Sequence, residues 1–394
     1  MSDSGVRRIG LSEPVIAGRE WEYVKECLDT GWLSAAGRFV GLFEDRIRET
    51  TGAAHAVAVM NGTSGLHLSL VMRGVGPGDE VLIPTITFIA PVNAIRYTGA
   101  EPVFMDCDEH LNIDAEKVGA FLAEECSATP DGLVNRSSGR RVRAIIPVHV
   151  FGAPCDMGAI MELAERYGLD VIEDASEALG STYTDGPLAG SYAGAIAPLG
   201  VLSFNTNKII TTGGGGMLLL HDAELAERAR YLCAQAKDDP VRYRHEDVGY
   251  NYRLTNIEAA IGVAQLEDLG GRVERRRAIH SRYTEGLGAL DGIEVIGSPG
   301  GTRPNGWLSA VWVDPARFGA DAEGLMTALD MKGVQARPVW QPNHLQTPYA
   351  HCQAYRIERA VHAAGHVLNL PSGSGLSDDA VEYVIESIKE VHER

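Results

Sequence analysis

Residues 203–216 read SFNTNKIITTGGGG: an apolar, strand-like stretch ends, one lysine follows, and four consecutive glycines close the segment. Four glycines give up backbone entropy and offer no side chain to pack, so a core gains nothing from them. Either the backbone must approach another group closely, or the turn must be unusually sharp. Lys208 is also isolated in charge, because from Leu199 to Leu220 it is the only ionisable side chain. Such surroundings disfavour the ammonium form and suit an amine nucleophile. The plain alternative is an ordinary solvated surface lysine.

Working outward, LGVLSFNT and GMLLLHD read as strands on either side of the lysine loop. Upstream, AVAVM (56–60) reads as a strand and SGLHLSLVMRGV as the helix after it. DEVLIP, the helical APVNAIRYTG and PVFMD continue the alternation, followed by RAIIPVHV, the helical MGAIMELAERYG and LDVIEDA. Strands alternating with helices of this length predict a mostly parallel sheet covered on both faces. PDGLVNRSSGRRVRA (130–144) is polar and reads as a surface loop or hairpin. DAELAERARYLCAQAK is helical, and TNIEAAIGVAQLEDLGGRVERRRAIHSRYTEGL reads as one helix long enough to bridge two domains. Beyond it, IEVIGS, SAVWVD, the helical DAEGLMTALDMKG and the closing helix DDAVEYVIESIKEVH form a smaller α+β unit. The expected division is a large α/β domain with an N-terminal arm over 1–270 and a small α+β domain over 271–394.

Composition agrees with a globular chain. Of 394 residues, 45% are hydrophobic and 22% charged, and 53 acidic against 35 basic residues give a formal charge of −18. That balance repels phosphate backbones and anionic lipid, which argues against nucleic-acid and membrane partners. The six cysteines (Cys27, Cys107, Cys126, Cys155, Cys233 and Cys352) form no CxxC pair and are expected to be reduced thiols. No metal site is expected. The start, MSDSGVRRIG, lacks an apolar leader, and no run of about 18 apolar residues follows, so a soluble, cytoplasmic protein is expected.

Two further stretches stand out. MNGTSGLH (60–67) leads from a strand into a helix through Asn61, Gly62, Thr63 and Ser64, which are capping residues. A helix N-terminus also favours a phosphate, through its free N–H groups and dipole. LDVIEDASEALGS ends an apolar strand in Glu173 and Asp174, with Glu177 three residues on. Carboxylates at the C-terminal end of a parallel strand sit where open α/β sheets bind ligands, although Asp174 could simply cap a helix. A lysine for a Schiff base, an acid for a ring nitrogen and a helix end for a phosphate together are what pyridoxal 5′-phosphate requires.

With TFIAPVNAIRYTGAEPVFMDCD, IEDASEALGS, SFNTNKIITTGGGGM, GYNYRLTNIEAAIG and LNLPSG, the chain from about residue 10 onward resembles the DegT/StrS family of pyridoxal-phosphate nucleotide-sugar aminotransferases. The NKIITTGGGGM form is similar to the subgroup of the legionaminic acid and bacillosamine pathways. The resemblance implies the fold-type I architecture: a large cofactor-binding domain with a mostly parallel mixed sheet, and a smaller C-terminal domain. It implies that Lys208 holds the cofactor covalently and Asp174 pairs with its ring nitrogen. Phe88 would stack on the ring, and Glu177 would sit near the ring hydroxyl. Ser203, Gly62, Thr63 and Ser64 would bind the phosphate, with Asn251 reaching it from the other subunit of a homodimer. Arg337, Trp340 and His344 match a segment near the nucleotide-sugar, and Thr206 stands where the subgroup often has glycine.

The activity so implied moves nitrogen from L-glutamate to C4 of a UDP- or GDP-linked 4-keto-6-deoxy-N-acetylhexosamine. The glycine run would then keep the loop after Lys208 clear of cofactor and substrate. The alternatives are a 3-keto sugar or inosose acceptor, a dehydratase, in which histidine typically replaces the lysine, and a non-enzymatic cofactor-binding relative.

Overall fold

The computed structural model describes residues 8–130, 132–239 and 241–392. The first seven residues of MSDSGVRRIG, and Asp131 of the 130–144 stretch, lie outside the described residues.

The apolar runs form a ten-stranded mixed sheet. Across it lie His55–Val59, Gly216–Leu220, Leu199–Ser203, Asp170–Asp174, Arg141–Ile145, Asp79–Pro84, Glu101–Met105 and Ala354–Tyr355. From Leu199–Ser203 to Ala354–Tyr355 every pairing in this order is parallel. Such strands need covering on both faces, which is why they read as continuous apolar runs. Gly216–Leu220 runs against both of its neighbours. Gly216 pairs with Ser203, so the lysine loop simply joins two adjacent strands. A connection with no crossover helix can join only antiparallel neighbours. The 130–144 stretch is a hairpin arm: Gly132–Asn135 pairs antiparallel with Cys126–Thr129 and then meets Arg141–Ile145.

A second, four-stranded antiparallel sheet is built from Ile293–Val295, Ser309–Val313, Val367–Leu370 and Arg337–Pro338. Its core includes Val311, Leu325, Leu368, Val384 and Ile388, together with Ile9 from the N-terminal arm. The expected bridging helix is two helices, Asn256–Leu266 and Leu269–Leu287. The break at Glu267–Asp268 precedes Gly270 and Gly271, both poor helix formers. The second helix gives Val273 to the large core and Ile279, Tyr283 and Leu287 to the small one.

The chain after residue 271 does not stay with one core. Val339, Tyr349, Tyr355, Ala360 and Ala363 pack in the large core. Ala354–Tyr355 extends the large sheet beside Glu101–Met105, with the Phe104 N–H donating to Gln353 O at 2.9 Å, and so covers an edge otherwise open to pairing. Among the described residues no helix is long and apolar enough to cross a membrane.

Candidate active site around Lys208

Five parallel strands of the large sheet end at one cavity of about 320 Å³. Asn61, Phe88, Val148, Asp174 and Ser203 reach its wall at or just beyond the C-terminal ends of those strands. Ligands collect at this edge of an open α/β sheet. Lys208 projects into the cavity from the loop after Ser203, its N–H donating to Asn205 O at 3.0 Å.

The charge isolation expected of Lys208 does not survive folding. Its Nζ lies 3.3 Å from Glu177 Oε1 and 4.1 Å from the centre of the Trp307 ring. The sequence window showed no neighbouring charge because the partners come from other elements. Glu177 is buried, and its Oε2 accepts the Phe151 N–H at 2.9 Å. Burial, the largest influence on Glu177, pushes its pKa up against the opposing pull of Lys208.

Asp174 and Glu173 are adjacent and do different work. Asp174 is 3% exposed and faces the cavity, with Oδ1 accepting the Ser176 N–H at 3.0 Å. Burial pushes its carboxyl pKa up, opposed by the hydrogen bonds from Ser176 and by the charge of Lys208. A cation beside it would offset that burial cost. Glu173 points the other way and accepts the backbone N–H groups of Gly194, Ile196 and Ala197. It also faces His149 Nε2 at 3.1 Å. His149 Nδ1 accepts the Cys155 N–H at 3.0 Å, so the imidazole proton sits on Nε2 and is donated to Glu173. Asp174 is therefore no helix cap, and Glu173 is a structural acid.

The helix Gly62–Met72 begins at the cavity. Asn61 caps it, its side chain accepting the Ser64 N–H at 2.8 Å, and Ser64 Oγ returns to Asn61. Ser64 is buried, its hydroxyl engaged in this capping box, and it is not part of the cavity wall. Gly62, Thr63, Ser176 and Ser203 do line it. A Cβ on Gly62 would lie 3.0 Å from Ser203 Cβ and 3.1 Å from Ser176 Oγ, so glycine keeps this end of the cavity open.

The glycine run has a different purpose from the one expected. None of Gly213–Gly216 lines the cavity. Gly213 and Gly215 adopt φ of 87° and 76°, which L side chains resist. A Cβ on Gly216 would lie 2.6 Å from the backbone carbon of Asn61. The glycines turn the chain sharply and let it pass under the helix start.

Phe88 lines the cavity and is 56% exposed, although it is a large apolar residue. Trp340 and Trp307 line it too, and Phe151 packs between them, 5.0 Å from Trp340 and 6.4 Å from Trp307. The Trp307 indole N–H donates to Asn207 O at 2.7 Å, and Arg276 donates to Trp307 O at 2.6 Å, fixing that ring over Lys208. Sequence reasoning missed Trp307, Ser176 and Asn205, which carried no local signal beyond ordinary polar or aromatic character. Thr206 also lines the cavity.

Besides Ser64, three more of the expected residues stand away from the wall of this cavity. Arg337 is exposed on the small sheet. His344 bonds through Nδ1 to Thr85 Oγ1 at 2.7 Å. Asn251 is exposed, in a backbone bridge with Ala234.

The donor set fits pyridoxal phosphate. It comprises one primary amine, a buried carboxylate lining the same cavity, three hydroxyls at a helix N-terminus kept open by a glycine, and an exposed aromatic residue. The chain belongs to the DegT/DnrJ/EryC1/StrS aminotransferase family, whose model matches residues 14–389. It is a pyridoxal-phosphate-dependent sugar aminotransferase. The GDP-perosamine synthase of Caulobacter vibrioides is 40% identical over 399 residues, covering 98% of this chain and 99% of that one. The GDP-perosamine synthase of Escherichia coli O157:H7 is 37% identical, covering 98% and 99%. The crystal structure of the aminotransferase TlmJ from Streptoalloteichus hindustanus superposes with a TM-score of 0.87 at 33% identity, covering 98% and 99%.

Proposed function

We propose that the protein transfers the amino group of L-glutamate to C4 of a nucleotide-linked 4-keto-6-deoxy sugar, and that the nucleotide is GDP. The observation that carries the reading is the Lys208 amine set in one cavity with Asp174, on a family aminotransferase chain whose similar relatives include two named GDP-perosamine synthases. These names favour a GDP-linked acceptor over the UDP-linked N-acetylhexosamine of the bacillosamine and legionaminic acid pathways. An intact Lys208 supports transamination over the dehydratase reading.

In this proposal Lys208 anchors the cofactor, and its released amine carries the proton to and from the reacting carbon. Asp174 would pair with the cofactor's ring nitrogen and keep it protonated. Phe88 would cover a ring face, and Glu177, which holds Lys208, would also take the ring hydroxyl. Thr63, Ser176 and Ser203, with the N-terminus of the helix beginning at Gly62, take the phosphate. When bound, pyridoxal phosphate supplies the carbon that carries the nitrogen and a ring that draws off electrons. Trp340 borders the acceptor side. In a homodimer the exposed Asn251 would reach the phosphate end of the other subunit's site, and Arg337 and His344, which stand off the wall of this cavity, would meet the nucleotide-sugar beyond it.

A panel of GDP-, UDP- and dTDP-linked 4-keto-6-deoxy sugars, offered with glutamate and read by product mass, tests this. Amination of the GDP sugar in clear preference is expected. Turnover confined to UDP-linked N-acetylhexosamines would replace the GDP assignment, and turnover of none would overturn the C4 transfer.

A further inference from the structure

At the edge of the large sheet, away from the Lys208 cavity, three metal-ligating atoms face one another. Glu101 Oε2 lies 3.5 Å from Cys352 Sγ and 3.7 Å from His351 Nε2, and the sulfur and nitrogen are 3.6 Å apart. This is a nearly equilateral triangle of one oxygen, one nitrogen and one sulfur. A tetrahedral zinc ion bound at about 2.0–2.3 Å places neighbouring ligand atoms roughly 3.3–3.7 Å apart. The triangle therefore has the dimensions of one face of that tetrahedron, with the remaining apex open.

We propose that Glu101, His351 and Cys352 bind a zinc ion. The mixed oxygen, nitrogen and sulfur set suits borderline Zn²⁺ and is a poor match for the all-oxygen preference of magnesium or calcium. Arg96 orients the carboxylate, pairing with Glu101 Oε1 and leaving Oε2 to face the histidine and cysteine. His351 is 62% exposed and approaches from solvent, so an ion has an entry path and a water can complete the coordination. Without metal, the Cys352 thiol donates its proton toward Glu101 Oε2. Zinc would displace that proton and bind the thiolate.

The placement gives the ion a structural consequence. His351 and Cys352 stand one residue before the strand Ala354–Tyr355, and Glu101 opens the strand it pairs with. Upstream in the same segment, Asn343 clamps Thr85 O and Thr87 O beside Phe88, and Trp340 borders the cavity. A zinc ion here would pin the 340–355 segment to the sheet that holds the active site.

The test uses reduced, cofactor-loaded protein freed of metal and titrated with Zn²⁺ against a chromophoric chelator, and with Co²⁺ as a spectroscopic probe. One equivalent per chain is expected, with the visible absorption of tetrahedral, thiolate-bound Co²⁺. His351→Ala and Cys352→Ser should each weaken binding by at least about 100-fold, beyond what loss of a supporting residue costs. Zinc should also shield Cys352 from alkylation; the other five cysteines are buried, so native labelling reads this thiol. Failure of the wild-type protein to take up one saturable equivalent, or unchanged affinity in the exposed-residue variant His351→Ala, would overturn the proposal.

Discussion

Lys208 and Glu177 meet at 3.3 Å, and the same carboxylate reaches on to the Phe151 N–H. Phe151 has a φ of 55°, a left-handed conformation that a large side chain adopts only when its surroundings impose it. One buried acid thus holds both the Lys208 amine and a strained turn carrying the ring between the two tryptophans. The two roles separate by substitution. Glu177→Gln keeps an acceptor for Phe151 and removes the charge beside Lys208, so unfolding free energy should change by less than about 1 kcal/mol while kcat falls by about 10- to 100-fold. Glu177→Ala leaves a buried N–H unpaired and should cost about 1–3 kcal/mol besides. Denaturant unfolding of both variants decides it. Equal stability of the two would mean that the Phe151 contact holds nothing.

Lys208→Ala should abolish borohydride-trappable cofactor and lower transamination with glutamate by at least about 10³-fold, in the upper part of the range for a lost general acid–base group. Mass spectrometry after reduction reads the first and product formation the second. A variant that turned over at the wild-type rate would remove Lys208 from the chemistry.

For Asp174→Asn, activity and stability should move in opposite directions. Burial raises the Asp174 pKa in the folded protein, so the ionised carboxylate is a cost at pH above that raised value. Asparagine can still accept the Ser176 N–H and carries no charge to bury. Cofactor-free protein at pH 8 should therefore unfold at equal or higher denaturant concentration, while turnover drops by about 10²-fold or more, because a neutral amide cannot hold a ring nitrogen protonated. A variant that is destabilised yet active would reverse both assignments.

Much of this site was legible because its residues break patterns. Buried parallel strands read as apolar runs, so a lysine after one and acids ending another stood out, and Lys208, Asp174 and Glu177 do meet at one cavity. The sign of Lys208's surroundings was not legible, since Glu177 and Trp307 are brought in by the fold from distant positions. Trp307 itself sits in an ordinary apolar strand approach, and nothing in NGWLSA marks a residue that will lie over an amine. The purpose of the glycines was also hidden. Their count signalled a close approach, but what they approach, the backbone at Asn61, lies just past the end of a neighbouring strand.

That approach separates two glycines of the same run. Gly216→Ala sets a methyl 2.6 Å from the Asn61 backbone, which cannot move without disturbing the cap of the helix that begins at the cavity. It should destabilise the protein by about 3 kcal/mol or more, at the upper end of overpacking costs, and weaken cofactor retention. Gly214→Ala meets first the flexible end of Glu258 at 3.1 Å, and its φ is not left-handed, so it should change stability by less than about 1 kcal/mol. Thermal unfolding of the two variants side by side is the measurement. Comparable losses would mean that the run serves general flexibility and not one contact.

Asp108 gives the protein a predictable pH dependence. Its Oδ1 accepts the N–H groups of His110 and Asn112, each at 2.9 Å, and burial pushes its pKa up to about 6 from an ordinary value of 3.8. A folded pKa above the unfolded one means that the protonated form is favoured by folding. The stabilisation is fully present below about pH 3.8, declines as pH rises, and is gone once the folded group ionises above about 6. Asp108→Asn retains the acceptor and cannot ionise. Its advantage over wild type should reach at most about 3 kcal/mol at pH 8 and be roughly half of that at pH 5, at about 1.4 kcal/mol per pK unit. Urea unfolding at pH 5, 6.5 and 8 measures the gap between the two proteins. A gap that stays constant over that range, or an asparagine variant less stable than wild type at pH 8, would show that the Asp108 carboxylate is solvated after all.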